Sequence, residues 1–250
     1  MFALEPTKTL EGKSCQAMLY SSKMGQVAQI TGQQGGLLLQ NFPHLEAELL
    51  AHIAACTHPK PQEALILGGF NTEIAFELLR HENLKVDFVQ EEGALLEGLK
   101  DFLPHLSVLQ THPHFKQYPK ILDLEVKKYD LIFSLNTPNA HQIDGLQRML
   151  GTEGILIATT PSPLLEPQAF KQGVQELAPH FSVLMPFSSP YAPLSMHYLF
   201  ASKAAHPLAD LILQRVDMLE GLSHYNEDIH TAAFAQPQRL HQDHLGLFKN

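Results

Sequence analysis

The chain has 250 residues, of which 44% are hydrophobic and 17% charged, and its formal net charge is −9. This length suits one large domain, or one domain with a smaller attachment, and the acidic balance argues against a nucleic-acid-binding surface. No stretch approaches the roughly 20 apolar residues of a membrane span, and the start of the chain lacks a signal-peptide pattern. With two cysteines and no C-x-x-C motif, these features predict a soluble, cytoplasmic protein without a disulfide framework.

The first 40 residues predict a small β-sheet. Residues 16–20 and 26–30 have the composition of short strands around a turn, and a glycine-rich break at 32–36 separates them from the apolar segment 37–39. A sheet of this size has little core of its own. We therefore expect it to pack on a larger domain or on another subunit.

A helix is predicted next, over residues 42–56, because one face repeats at spacings of three and four. The residues on this face are Leu45, Leu49, His52, Ile53 and Cys56. Pro59 and Pro61 end the helix, since proline and the residue before it resist α geometry.

Strands and helices alternate beyond this point. The predicted strands cover residues 65–67, 85–90, 130–135, 154–158, 181–185 and 198–202. The predicted helices cover residues 72–81, 93–102, 142–150 and 168–177; segment 106–110 follows the second of them, and 111–129 is assigned no element. This order predicts an α/β fold with a Rossmann-like, doubly wound, mostly parallel sheet. We place an N-terminal β-domain with its connecting helix in residues 1–60, and a Rossmann-like catalytic domain in residues 61–250.

The first of these strands stops at Gly68 and Gly69, shortly before a helix opens at Thr72. Glycines let the backbone approach a ligand at the first strand-to-helix turn, which is the usual nucleotide site of an open α/β sheet. The alternative is that both glycines serve only a tight turn. Because the G-x-G-x-x-G fingerprint is absent, NAD binding is not expected.

The second strand ends at Gln90, Glu91 and Glu92, where folds of this type often place an acid that binds ribose hydroxyls. Gln90 offers these hydroxyls only a single amide oxygen. Either Glu91 or Glu92 can take the role; alternatively, both begin a solvated helix.

The 15 histidines show no metal-binding spacing such as H-E-x-x-H, so no metal site is expected. No G-x-S-x-G motif is present either. Cys56 lies on the apolar face of its helix, which favours a core residue over a nucleophile.

Five segments along the chain carry a family resemblance. Residues 225–237 read Y-N-E-D-I-H-T-A-A-F-A-Q-P, residues 48–52 read E-L-L-A-H, residues 58–61 read H-P-K-P, residues 129–133 read Y-D-L-I-F, and residues 200–203 read F-A-S-K. With the glycine turn, they resemble the spermidine synthase (polyamine aminopropyltransferase) family over nearly the whole chain. Within this family, we expect the chain to resemble the divergent, shortened members from Helicobacter and relatives.

The resemblance implies transfer of an aminopropyl group from decarboxylated S-adenosylmethionine to putrescine, giving spermidine and methylthioadenosine. It implies no cofactor besides that co-substrate, and a homodimer formed through the N-terminal sheets. A free amine has a pKa near 10, so an acidic side chain must orient it and help remove its proton.

The chain departs from the family pattern at the implied active site. Asn71 replaces the acid of the glycine-rich turn, Gln90 aligns with the ribose-binding acid, and Glu46 stands where the family has a tyrosine that contacts the diamine. The catalytic loop D-S-S-D-P reads L-N-T-P-N over residues 135–139, so neither aspartate is present. The loop Q-x-E-S-P reads T-T-P-S-P over residues 159–163.

The resulting candidates are grouped by role. The catalytic candidates are Asn136 and Asn139; the substrate-binding candidates are Glu48, His52 and Tyr191, which matches a family tyrosine; and the nucleoside-binding candidates are Gly68, Gly69, Asn71, Gln90 and Glu91. Candidate replacements for the lost acids are Glu46, Glu48, Glu91 and Glu92.

Two alternatives to an active aminopropyltransferase remain open. An ammonium that is partly buried without a counter-charge costs several kcal/mol, so one alternative is a non-catalytic homologue acting as a nucleoside-binding or partner subunit. The other is a relative of the S-adenosylmethionine-dependent methyltransferases, which the C-terminal segment and the N-terminal sheet disfavour.

Overall fold

The computed structural model describes residues 6–23, 25–192 and 196–249. Residues 6–39 form a four-stranded antiparallel sheet whose strands follow chain order: β1 (Pro6–Glu11), β2 (Cys15–Ser22), β3 (Gly25–Gly32) and β4 (Gly36–Leu39). The strands predicted at 16–20, 26–30 and 37–39 lie in β2 to β4. Strand β1 was not predicted from the sequence, because Leu10 is its one apolar residue apart from Pro6 and five of its six residues are exposed.

A second sheet has seven strands. These are β5 (Glu63–Leu67), β6 (Lys85–Val89), β7 (Phe115–Tyr118), β8 (Tyr129–Ser134), β9 (Leu150–Thr160), β10 (Val183–Ser188) and β11 (His197–Ser202). Their order is β10-β11-β9-β8-β5-β6-β7, with β5 to β9 parallel and β11 antiparallel to both its neighbours. This topology confirms the predicted Rossmann-like, mostly parallel sheet with a small N-terminal sheet.

Helices cover both faces of the large sheet. The helices are α1 (His44–Thr57), α2 (Glu73–Leu78), α3 (Gly93–Gly98), α4 (Leu106–Gln110), α5 (Ala140–Met149), α6 (Pro167–Leu177), α7 (Leu213–Asp217), α8 (Glu227–Ala233) and α9 (Gln238–Asp243). Ile66 of β5 packs in one apolar cluster with α1 to α4, whereas its neighbour Leu65 packs in another with α5 and α6. Alternate residues of a strand point to opposite faces, so the sheet is doubly wound.

The small sheet shares its core with the large one. Ala17, Leu19 and Ile30 of β2 and β3 belong to the same apolar cluster as α1 and Ile66. The division into residues 1–60 and 61–250 therefore remains a prediction. None of the helices in the described residues is both long and apolar enough to cross a membrane.

The strand order reverses between β5 and β8. In open α/β sheets, ligands bind beyond the carboxyl ends of the strands at such a switch point. The turn after β5 and the loop after β8 therefore bound the expected ligand crevice.

Candidate active site

The glycine turn requires glycine at both positions. Gly68 and Gly69 have φ angles of +69° and +70°, which are strained for any residue with a Cβ. A Cβ on Gly68 would also collide with the side-chain amide of Asn136, and one on Gly69 would collide with Leu135. The turn thus holds the end of β5 tightly against the loop that follows β8.

Two adjoining clefts open between this turn and the small sheet. The turn cleft, about 340 Å³, is lined by Ile30, Gly35, Gly36, Leu37, Leu38, Glu46, Gly69, Phe70, Asn71, Leu135, Thr159 and Met196. The apolar cleft, about 550 Å³, is lined by Leu37, Leu38, Leu39, Phe42, Pro43, Leu45, Glu46, Asn71, Phe102, Ser189, Ala192, Met196 and Tyr198. Because Glu46 and Asn71 line both, the clefts meet at this polar pair.

Glu46 is hydrogen-bonded on both carboxylate oxygens. Asn71 Nδ2 donates to Oε2 at 2.9 Å, and the Tyr198 hydroxyl donates to Oε1. Burial raises the pKa of Glu46, although the two hydrogen bonds oppose that rise. Of the described residues that line either cleft, Glu46 is the one carboxylate.

Asn71 is held in one orientation by both ends of its amide. Its Oδ1 accepts from the backbone N–H of Glu73 at 3.3 Å, and its Nδ2 donates to Glu46 and to the Pro43 carbonyl at 3.3 Å. An aspartate here would bring a second carboxylate against Glu46, and like charges at this distance disfavour ionisation of both. The amide therefore lets Glu46 remain the single acid at this point.

Three buried side-chain oxygens in the described residues have no hydrogen-bond partner. They are Thr72 Oγ1, Asn136 Oδ1 and Thr160 Oγ1, and they lie after β5, after β8 and at the end of β9. Buried polar atoms are normally hydrogen-bonded. The three oxygens are buried at the edge of the sheet where the parallel strands end, and their residues line neither cleft.

Gln90 ties the glycine turn to the small sheet. Its Nε2 donates to the Gly69 carbonyl and, at 3.1 Å, to Gln34 Oε1, while its Oε1 accepts from the Glu92 backbone at 2.9 Å. Both Nε2 hydrogens are therefore engaged, whereas Oε1 keeps one lone pair that a ligand hydroxyl could use. Glu91 has an exposed side chain, and its role in binding stays a prediction.

The Glu92 carboxylate joins the two sheets. It accepts from the backbone N–H groups of Lys13 and Ser14, both at 2.6 Å, and from the Ser14 hydroxyl at 2.7 Å. Desolvation raises its pKa, but these hydrogen bonds outweigh it and lower the pKa overall. The carboxylate is thereby committed to the β1–β2 turn.

Glu48 and His52 lie on α1 but line neither cleft. The buried Glu48 carboxylate accepts from the N–H groups of Ser223, His224 and Tyr225, with shortest distances of 2.9, 2.7 and 2.9 Å. Residues two apart on a helix point about 200° apart, which separates Glu48 from Glu46. The substrate-binding role of Glu48 and His52 remains a prediction.

His52 is fully buried in a polar cluster. Its ring nitrogens contact Glu77 at 3.2 Å and His81 at 3.1 Å. Burial lowers the pKa of His52 to about 3, so its imidazole is neutral at physiological pH.

The remaining candidates differ in position. The Asn136 side chain lies over Gly68, whereas Asn139 caps α5 through reciprocal 3.0 Å hydrogen bonds with Gln142. Tyr191 has a φ of +60° and is 91% exposed, beside the cleft residue Ala192. The structure thus brings Asn136 to the crevice and leaves the other two side chains at the surface.

Tyr198 is a site residue that sequence reasoning missed. The antiparallel register pairs Tyr198 with Thr159, which brings the start of β11 to the edge where the parallel strands end. The tyrosine precedes the F-A-S-K segment, but strand direction cannot be read from that motif. Among the described residues, no group of three or more His, Cys, Asp or Glu side chains is arranged to hold a metal ion.

Comparisons with known proteins identify relatives over most of the chain. Residues 43–210 match the spermine/spermidine synthase domain. The chain is 40% identical over 223 residues to the polyamine aminopropyltransferases of Helicobacter acinonychis (strain Sheeba) and Helicobacter pylori (strain ATCC 700392 / 26695), covering 89% of this chain and 84% of each relative. It is 26% identical over 219 residues to that of Thermotoga petrophila, covering 80% of this chain and 74% of the relative.

Solved structures share the fold. A spermidine synthase in complex with the transition state analogue AdoDATO superposes with a TM-score of 0.83 at 21% identity, covering 97% of this chain and 89% of that chain. The spermidine synthase from Thermotoga maritima gives the same TM-score and identity, with coverages of 98% and 90%.

Proposed function

Because the chain belongs to the spermine/spermidine synthase family and is a transferase of that family, we propose that it transfers the aminopropyl group of decarboxylated S-adenosylmethionine to putrescine. The products are spermidine and methylthioadenosine. The observation that carries this proposal is the pair of clefts that meet at Glu46 and Asn71. A direct transfer between two substrates needs two adjoining sites whose reacting atoms come into contact.

The turn cleft is the proposed nucleoside site. It lies on Gly69 at the carboxyl end of β5, beside the switch point of the sheet. Asn136, whose side-chain amide lies against Gly68, is the candidate hydrogen-bonding partner of the nucleoside or of the aminopropyl group. Gln90 and the exposed Glu91 are the candidates for the ribose hydroxyls.

The apolar cleft is the proposed acceptor site. Its leucine, phenylalanine and methionine side chains suit the methylene chain of a diamine, and Glu46 supplies negative charge where the two clefts meet. The sulfur of methylthioadenosine leaves as a neutral thioether, so catalysis depends mainly on positioning and on deprotonating the amine.

The sequence candidates take two kinds of role in this proposal. Asn136, whose side-chain amide lies against Gly68, keeps its proposed catalytic role as the hydrogen-bonding residue of the loop after β8. Asn139, Glu48 and His52 hold the surrounding backbone and core instead, as their capping and buried contacts indicate.

We also infer a cytoplasmic homodimer that requires neither a metal nor a cofactor. The outer edge of β1 is free to pair with a second small sheet, because β1 bonds only to β2 among the described strands. Sedimentation equilibrium of the purified protein tests this assembly; a monomer across the micromolar range would contradict it.

The test of function is an assay of purified protein with decarboxylated S-adenosylmethionine and putrescine. We expect methylthioadenosine and spermidine in equal amounts, and none of either without putrescine. Absence of product at high enzyme concentration would overturn the proposal. Thermal stabilisation by methylthioadenosine without turnover would favour the nucleoside-binding homologue, since a ligand at 100 times its Kd stabilises by about 2.7 kcal/mol.

A further inference from the structure

Glu46 is the acidic side chain at the junction of the two clefts. We propose that it binds the attacking amine of the acceptor and takes its proton, an assignment that rests on the proposed function. An ionised carboxylate offers about four lone-pair positions, and Asn71 and Tyr198 fill one on each oxygen. A third donor, the acceptor ammonium, can therefore bind without displacing them.

Three other buried carboxylates, on α1 and after β5 and β6, are already committed. Glu48 accepts from three backbone N–H groups and Glu92 from two. Glu73 holds the His105 ring at 2.5 Å and its backbone N–H at 3.1 Å. Using any of them to bind an amine would break contacts that fix a loop or a helix. Glu46 is bound only by neutral donors, so it keeps its charge for a ligand.

The substitutions at positions 46 and 71 form a matched pair. In the family pattern a tyrosine and an acid occupy these positions, whereas this chain has Glu46 and Asn71, hydrogen-bonded at 2.9 Å. Both side chains line both clefts, and Asn71 adds no charge beside Glu46. Among the described residues that line the clefts, Glu46 is therefore the one negative charge.

The step balances in protons and electrons. The acceptor ammonium gives one proton to the Glu46 carboxylate, which leaves a free amine and a carboxylic acid. The amine lone pair forms a C–N bond to the methylene carbon beside the sulfonium; the C–S bond breaks, and its electron pair stays on sulfur as the neutral thioether. The product carries the new secondary ammonium, and Glu46 releases its proton to solvent.

The surroundings of Glu46 assist this transfer. Burial raises the pKa of its carboxyl, which brings it closer to the pKa of an ammonium group. Proton transfer from the amine to the carboxylate is therefore less unfavourable. Tyr198 is itself buried, with a pKa well above its ordinary value. It therefore remains a neutral donor that orients the carboxylate.

The test compares Glu46→Gln with the wild type and with Glu97→Gln, which removes an exposed carboxylate that lines neither cleft. We expect kcat to fall about 100-fold or more in Glu46→Gln, with methylthioadenosine affinity changed by no more than about threefold. Glu97→Gln should match the wild type. Unchanged turnover in Glu46→Gln would overturn the assignment while leaving the proposed function intact.

Two further measurements separate catalysis from structure. A difluorinated diamine, whose amines have lower pKa values, needs less help from a base, so the ratio of wild-type to Glu46→Gln rates should shrink with it. A ratio that does not change with the acceptor would contradict a proton-transfer role. Calorimetry of putrescine in the presence of methylthioadenosine needs no turnover, and equal affinity for the wild type and Glu46→Gln would contradict the amine-binding role even if the wild type were inactive.

Discussion

At the scale of single residues, the site depends on how one carboxylate is kept available. Glu46 is half-buried, so it needs donors to remain ionised, and Asn71 and Tyr198 supply them without adding charge. In a salt-bridged glutamate such as Glu77, which pairs with Arg80 at 2.6 Å, the negative charge is already balanced by a neighbouring cation. A carboxylate held by neutral donors has a fixed orientation, and its negative charge remains available to a cationic ligand.

This arrangement predicts the pH profile of kcat. Glu46 must be ionised to accept a proton, so activity falls as the pH drops through its pKa, which burial raises. Tyr198→Phe removes a hydrogen bond that lowers this pKa, and the acid limb should therefore move to higher pH. Tyr198 is the titratable side chain that hydrogen-bonds to Glu46. An acid limb that stays in place in Tyr198→Phe would show that the tyrosine does not act on Glu46.

At the scale of elements, helix α1 carries two glutamates with different roles. Glu46 lines the clefts, whereas Glu48 closes the loop around Tyr225 through backbone N–H groups. The helical period separates the two side chains. One turn of one helix thus contributes both to the site and to its support.

Glu48→Gln tests this division. Replacing a buried carboxylate that accepts three backbone N–H groups weakens charge-assisted hydrogen bonds, and we expect a loss of about 1–3 kcal/mol in the free energy of unfolding. The KM for putrescine should stay close to that of the wild type. A large rise in KM with unchanged stability would instead support a substrate-binding role for Glu48.

The sequence predicts those elements whose pattern follows from burial. Leu65, Ile66 and Leu67 form a continuous apolar run because β5 is covered on both faces, and the glycines after them mark the turn. Strand β7 escaped prediction because Lys116 and Gln117 are exposed at the edge of the sheet. The segment forms a strand because it pairs with β6, and its own residues carry no strand pattern.

The site was only partly predictable for a related reason. The helical period indicates that Glu46 and Glu48 point apart, but not which of them points to the clefts. That choice depends on how α1 packs between the two sheets. Tyr198 reaches Glu46 because β11 runs antiparallel, a property set by the long-range order of strands.

At the scale of the whole molecule, buried neutral histidines make stability sensitive to acid. Burial lowers the pKa of His52 and His81 to about 3, and that of His230 to about 4, whereas unfolded histidine titrates near 6.5. Between these values the unfolded chain binds protons that the folded chain does not. Their contribution to stability is complete above about pH 6.5 and declines as the pH falls toward 3.

Urea unfolding at successive pH values checks this prediction. Below pH 6.5 we expect the free energy of unfolding to fall by about 1 kcal/mol per pH unit for each such histidine. Stability that stays constant from pH 7 to pH 5 would mean that these rings bind protons as readily in the folded chain as in the unfolded chain.

A crystal structure with methylthioadenosine and putrescine bound together would show whether the two clefts hold the two substrates and whether Glu46 binds the amine. We predict the nucleoside in the turn cleft against Gly69, the diamine in the apolar cleft, and one amine nitrogen about 3 Å from a carboxylate oxygen of Glu46. A diamine bound away from Glu46, or a nucleoside outside the turn cleft, would contradict these assignments.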